Sequence, residues 1–230
     1  MNYRVVAGPH ETARMDTAEL RSAFLVEGLF RPSELRLVAT DMDRMVLGGA
    51  MPGGKLCLPS CREFGTRYFT ERRELGVVNL GEAGHVWVAG KRYSLDTLDF
   101  LYIGAGNESV AFEACANSQP CFYFLSCPAH QSFPVVRICR SQVSCELLGE
   151  TGTASRRRLS KYIHPGEVSS CQLVMGLTEL EHGSVWNTMP AHTHSRRSEV
   201  YLYSGLGNGI AVHLMGRADQ TRHLVVRDRE

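Results

Sequence analysis

The chain reads as mainly β, two antiparallel sandwich or jelly-roll halves behind one short N-terminal helix. Three observations lead there. Short apolar runs punctuated by glycine follow one another after Pro32, a pattern of the first half recurs in the second, and two histidines spaced for one strand face precede a carboxylate.

The helix comes first. Asp16-Thr17-Ala18-Glu19 is a capping box, and Leu20, Phe24 and Leu25 then supply an apolar face at helical spacing. After Pro32 the period shortens. Strands are expected at Leu35–Thr40, Arg44–Leu47, Val77–Leu80, His85–Ala89, Phe100–Ile103, Val110–Ala114 and Cys121–Ser126. The later ones are Arg158–Ile163, Cys171–Leu180, Glu199–Tyr203, Ile210–Met215 and Arg222–Val226. Glycines at 48, 49, 81, 84, 90, 104 and 106 break the runs at the spacing of a sandwich or barrel. The polar stretch 140–157 reads as the linker between one domain at 1–150 and a second at 151–230.

The two halves look alike. The Arg-Arg pair ending at Arg73 and the glycine at 81 return 124 residues later, at Arg197 and Gly205. Val86-Trp87-Val88-Ala89-Gly90 likewise resembles Val212-His213-Leu214-Met215-Gly216. The places of His192 and His194 are taken in the first half by Tyr68 and Thr70, so only the second half is expected to hold a metal. Counterparts of Phe100–Ile103, Val110–Ala114 and Cys121–Ser126 would fall beyond Glu230. The second half is therefore expected to be truncated, with core surface left for something else to cover.

Composition narrows the function. A formal charge of +1 with well-mixed signs argues against a nucleic-acid or membrane surface. No apolar run approaches a membrane span, and the start lacks a secretion signal. None of the eight cysteines forms a C-x-x-C pair, and several sit in apolar runs as buried, reduced thiols would. These features describe a soluble protein of a reducing cytoplasm.

The chemistry centres on His192, His194 and Glu199. Side chains alternate along a strand, so the two histidines share a face and can grip one ion. Glu199 has the wrong parity on a continuous strand, and a turn at 195–197 would return it to the same point. Two imidazoles and a carboxylate suit zinc, iron(II), manganese or nickel and leave room for substrate. His213 and His223 read as packed or surface side chains rather than ligands. Lys161 could meet an anionic substrate, against the plainer reading of an edge-strand lysine. Arg72, Arg73, Arg196 and Arg197 read as structural pairs for Glu71 and Glu74, or as a subunit contact. Residues 186–190 could line a pocket wall or pack in the core, and His130 has no assignable role. The chain has no phosphate-cradling glycine loop and no G-x-S-x-G elbow.

The H-x-H-x4-E pattern on repeated strands resembles the first metal motif of the cupin superfamily. The blocks Asp43–Pro52, Glu71–Gly81, Cys171–Leu180 and Trp186–His194 resemble 5-keto-4-deoxyuronate isomerases more closely. That family is also called the 4-deoxy-L-threo-5-hexosulose-uronate ketol-isomerases. The resemblance implies a cytoplasmic, zinc-containing bicupin of pectin breakdown that assembles as a homo-hexamer. Its reaction would convert 5-dehydro-4-deoxy-D-glucuronate to 3-deoxy-D-glycero-2,5-hexodiulosonate. It also implies zinc bound by two histidines, one glutamate and a further histidine. The first three map to His192, His194 and Glu199, and the fourth to a stretch beyond Glu230. Lys161 is the candidate for the uronate carboxylate, and the general base stays unassigned. Two alternatives remain open: a non-catalytic binding or assembly module with an incomplete site, and a related cupin sugar isomerase such as 5-deoxy-glucuronate isomerase.

Overall fold

The computed structural model describes residues 1–60, 62–188 and 198–230. As expected, these residues are mainly β. In the first half they form β1 (Asn2–Arg4), α1 (Pro9–Thr12), α2 (Thr17–Phe24), β2 (Leu35–Thr40), β3 (Val46–Ala50), β4 (Leu56–Cys57), β5 (Arg73–Asn79), β6 (Gly84–Val88), β7 (Lys91–Leu95), β8 (Phe100–Ile103), β9 (Val110–Ala114), β10 (Phe122–Pro128) and β11 (Val136–Ile138). There follow β12 (Cys145–Leu148), β13 (Arg157–Ile163), β14 (Met175–Leu180), β15 (Ala211–Met215) and β16 (Arg222–Val226).

A seven-stranded sheet in the order β1-β2-β3-β10-β5-β8-β11 faces a four-stranded sheet in the order β4-β9-β6-β7. Alternation along β10 explains why the large sheet has two buried faces. Phe122 and Phe124 point towards the small sheet and pack with Val86, Leu95 and Phe112, closing a first core. Tyr123, Leu125 and Cys127 point the other way, into a second core with Tyr162, Ile163, Leu173 and Met175. The large sheet is thus the middle layer, and every residue of β5 is buried. Glycine is required where the layers press closest. A Cβ on Gly76 would stand 2.3 Å from Met175 Sδ; within the sheet, Gly48 leaves room for the ring of its cross-strand partner Phe124.

One carboxylate joins the middle layer to the second half. Glu74, fully buried on β5, accepts the Tyr102 hydroxyl at 2.6 Å. It also accepts the backbone N–H groups of Cys171, Gln172 and Leu173 at 2.7, 2.8 and 2.7 Å. These four donors, with the Cys127 thiol at 3.5 Å from Oε1, offset the cost of burying the charge. Burial, followed by the bond to Glu74, pushes the Tyr102 phenol far above its ordinary value. The expected arginine partners are met in part: Arg72 acts on Glu71, and Arg196 and Arg197 lie outside the described residues. Glu71 is the residue that pairs with an arginine, Arg67 at 3.2 Å, while Arg73 bonds Ser126 and the Arg44 carbonyl. The bonding of Glu74 also explains why β14 starts at Met175 and not at Cys171: the amides of 171–173 are committed to Glu74, not to a ladder.

The N-terminal helix forms where expected. Asp16 accepts from the Glu19 amide and Glu19 from the Asp16 amide, both at 2.8 Å. Leu20 and Leu25 pack on Leu224 and Val226 of β16, so the helix docks on the second half. The arginines Arg21 and Arg222 tie the same contact, donating to Val225 O and to Ala13 O and Met15 O. The matching pieces of the internal repeat are both antiparallel hairpins, β6–β7 and β15–β16. The stretch read as a linker carries β12, which pairs with β13 in the three-stranded sheet β12-β13-β14. Residues 199–203 form no strand. Their place is held by Tyr203, whose amide donates to Glu230 O at 2.9 Å and whose carbonyl accepts from the Arg229 amide at 2.7 Å.

Two outcomes follow from this packing. Glu74→Gln replaces an acceptor oxygen with a donor facing backbone N–H groups, and should cost about 2–4 kcal/mol in chemical unfolding. A variant as stable as the parent chain would remove Glu74 from its bridging role. The cysteines should also divide by burial. Cys121 is pushed up to about 11 by burial, and Cys127 to about 12 by burial and then by Glu74. Both stay thiols at pH 8, so iodoacetamide should label exposed Cys57 and Cys145 first, as peptide mass spectrometry would read.

Candidate active site

Glu199 stands in the wall of a cavity of about 220 Å³ between the outer face of the large sheet and the second half. One side is formed by α2 and the sheet, through Leu25, Val38 and Tyr123; the other by residues 199–203 with β15 and β16. The local pattern Glu199-Val200-Tyr201-Leu202-Tyr203 sorts the side chains. Val200 and Leu202 pack against the second core. The polar members make the hydrogen bonds.

Tyr201 donates its hydroxyl to Glu199 Oε2 at 2.9 Å, which fixes one oxygen of the carboxylate. The Tyr203 hydroxyl lies 2.8 Å from His213 Nδ1. Burial pushes the Tyr203 phenol above its ordinary value, so it stays protonated and can donate to that nitrogen. The imidazole also meets both phenol rings edge-on, at centroid distances of 5.2 Å for Tyr201 and 6.0 Å for Tyr203. A carboxylate, two phenols and an oriented imidazole thus share one largely apolar cavity. Such a set can handle a proton.

The structure treats the residues singled out from sequence differently. His192 and His194, with the turn at 195–197, lie outside the described residues. Among the described residues, no three His, Cys, Asp or Glu side chains come together as a metal-holding group. His213, read as packed or surface, is half-buried in the cavity wall with Glu199; His223 is exposed, as expected. Lys161 sits on β13 with its ammonium 2.6 Å from Glu146 Oε1, and it does not line this cavity. Trp186 is 43% exposed and stands outside the wall. His130 packs its Nδ1 3.2 Å from Cys171 Sγ. Tyr123, Tyr201 and Tyr203 were not singled out as site residues. The alternation from 199 to 203 was the available signal for the last two; Tyr123 gave none within its apolar run.

Comparison with known proteins agrees with this architecture. The model of the KduI/IolB family matches residues 39–227. A relative from Opitutus terrae, named 4-deoxy-L-threo-5-hexosulose-uronate ketol-isomerase, is 50% identical over 232 residues. The match covers 100% of this chain and 84% of the relative. A protein of the same name from Bacillus licheniformis is 45% identical over 98% of this chain and 83% of its own. Among solved structures, an IolB-like protein from Salmonella typhimurium LT2 superposes with a TM-score of 0.58. It is 15% identical and covers 80% of this chain and 73% of its own, which is a likeness of fold. No described helix is long and apolar enough to cross a membrane.

Proposed function

Because this chain belongs to the KduI/IolB family, we propose that it is a metal-dependent ketol-isomerase acting on 5-dehydro-4-deoxy-D-glucuronate. The product would be 3-deoxy-D-glycero-2,5-hexodiulosonate. The observation that carries this reading is the 50% identity, over the whole chain, to a relative named for that ketol-isomerase. The cavity supports it with the groups an isomerase needs.

The donor set fits a divalent cation, zinc first. Glu199 supplies an oxygen at the cavity wall, and His192 and His194 would add two imidazole nitrogens. When bound, the cation would polarise the substrate carbonyl as a Lewis acid. The remaining work falls to the chain itself. Ketol isomerisation removes a proton from the carbon beside the carbonyl and returns one to its neighbour. His213, oriented by Tyr203, is the proposed proton carrier, and Tyr201 holds the Glu199 carboxylate in place. Apolar wall residues such as Leu25, Val38 and Leu224 would limit water around the reacting carbons. The assembly is proposed to be a homo-hexamer in the cytoplasm.

Four measurements check the proposal. His192→Ala and His194→Ala should each lose bound metal, by elemental analysis, together with turnover. Full activity in metal-free protein would refute the metal-dependent scheme. His213→Gln should lower kcat by about 10²–10⁴ while metal content stays unchanged, and unaltered kcat would remove His213 from proton transfer. A parallel assay on 5-deoxy-glucuronate separates the two sugar-acid substrates. Light scattering coupled to size-exclusion chromatography should report six chains per particle.

A further inference from the structure

The cavity wall carries five polar groups that the proposed chemistry leaves unused: Arg4, Thr40, Tyr123, Arg229 and Glu230. Tyr123, on β10 of the first half, is 6% exposed. Among the described residues, its hydroxyl is the one buried side-chain polar atom without a hydrogen-bond partner. Its neighbours on β10 and on the facing strands are apolar, and Phe30 meets the ring tilted at 6.5 Å, a contact that does not use the oxygen. Phenylalanine would pack equally well there, as Phe122 and Phe124 do on the other face. An unpaired buried hydroxyl is costly, so a partner must come from whatever fills the adjoining space. That space is the cavity that also carries Glu199 and His213, and Tyr123 is part of its wall.

We propose that the Tyr123 hydroxyl binds an oxygen of the ligand, so that the ligand site is shared between the two halves. A sugar acid supplies the matching chemistry: carbonyl and carboxylate oxygens accept from a phenol, and sugar hydroxyls can do either. The apolar wall of the sheet lies against the sugar carbons, and the Tyr123 hydroxyl, unlike the already bonded Thr40 hydroxyl on the same wall, fixes their orientation. Tyr123 is thereby a substrate-orienting residue contributed by the half that lacks the H-x-H motif. This inference rests on the sugar-acid reading of the cavity given above.

The test is Tyr123→Phe, which removes one atom and leaves the ring. D-glucuronate is titrated calorimetrically into the parent protein and the variant, and melting temperatures are recorded for both. Turnover of 5-dehydro-4-deoxy-D-glucuronate by the parent protein is assayed separately. The expected result is an affinity for D-glucuronate weakened about five- to tenfold, with a melting temperature equal to or above that of the parent. An unchanged affinity, or no binding by the parent protein, overturns the inference. A melting temperature lowered by several degrees also overturns it, because the hydroxyl would then be serving the fold. If the parent binds D-glucuronate and fails to turn over the ketouronate, the isomerase reading falls. The role of Tyr123 is still decided by the two affinities.

Discussion

The burial of Glu74 is the interaction on which the architecture depends. A charge cannot leave water without replacement partners, and the ones it finds are three successive backbone amides and a phenol. Those amides belong to the second half. Docking the halves in another register would leave the carboxylate buried and unpaired, so the contact selects one arrangement. The apolar packing of Tyr162, Ile163, Leu173 and Met175 supplies most of the attraction, and Glu74 supplies its specificity.

That register determines where the cavity lies. The second half covers the sheet with Tyr162, Leu173 and Met175 at one region, and with Val200 and Leu202 at another. Between these and the N-terminal helix a space is left, with the sheet as its floor and Glu199, Tyr201 and His213 along its far wall. Helix α2 is held against β16 by Leu20 and by Arg21 donating to Val225 O, so it forms part of this wall and not a loose appendage. The site is therefore a product of three separate stretches of chain. None of them encloses it alone.

Much of the fold was legible because its signals are local. The strands β2, β8, β9 and β16 occupy the residues that short apolar runs marked, and the capping box at Asp16 starts α2. Errors arise where a distant partner intervenes. Arg73 and Glu74 read as members of structural ion pairs or a subunit contact and are buried members of β5, since the groups that satisfy them lie up to 99 residues away. Backbone amides leave no mark in a sequence, so the partner of Glu74 could not be read. Residues 199–203 show strand-like alternation, and the alternation does sort their side chains. The ladder is absent because Tyr203 bonds to Arg229 and Glu230 instead. Glu199, singled out by its spacing to the histidines, lies in the cavity wall. Tyr123 was not singled out, because a tyrosine in Phe122-Tyr123-Phe124-Leu125 looks like any other core aromatic.

The long sequence separation between Glu74 and its amides also bears on synthesis. They are 97 to 99 residues apart, so the strands around Glu74 leave the ribosome well before residues 171–173 do. During that interval the sheet face that carries Val78, Phe100, Leu125 and Cys127 lacks Leu173 and Met175, which pack in the same core in the finished protein. An ionised carboxylate stands on the same face, and any other chain settling there would have to strip its water without offering three amides in return. The same side chain that locks the finished protein thus guards the unfinished one against sticking to its neighbours.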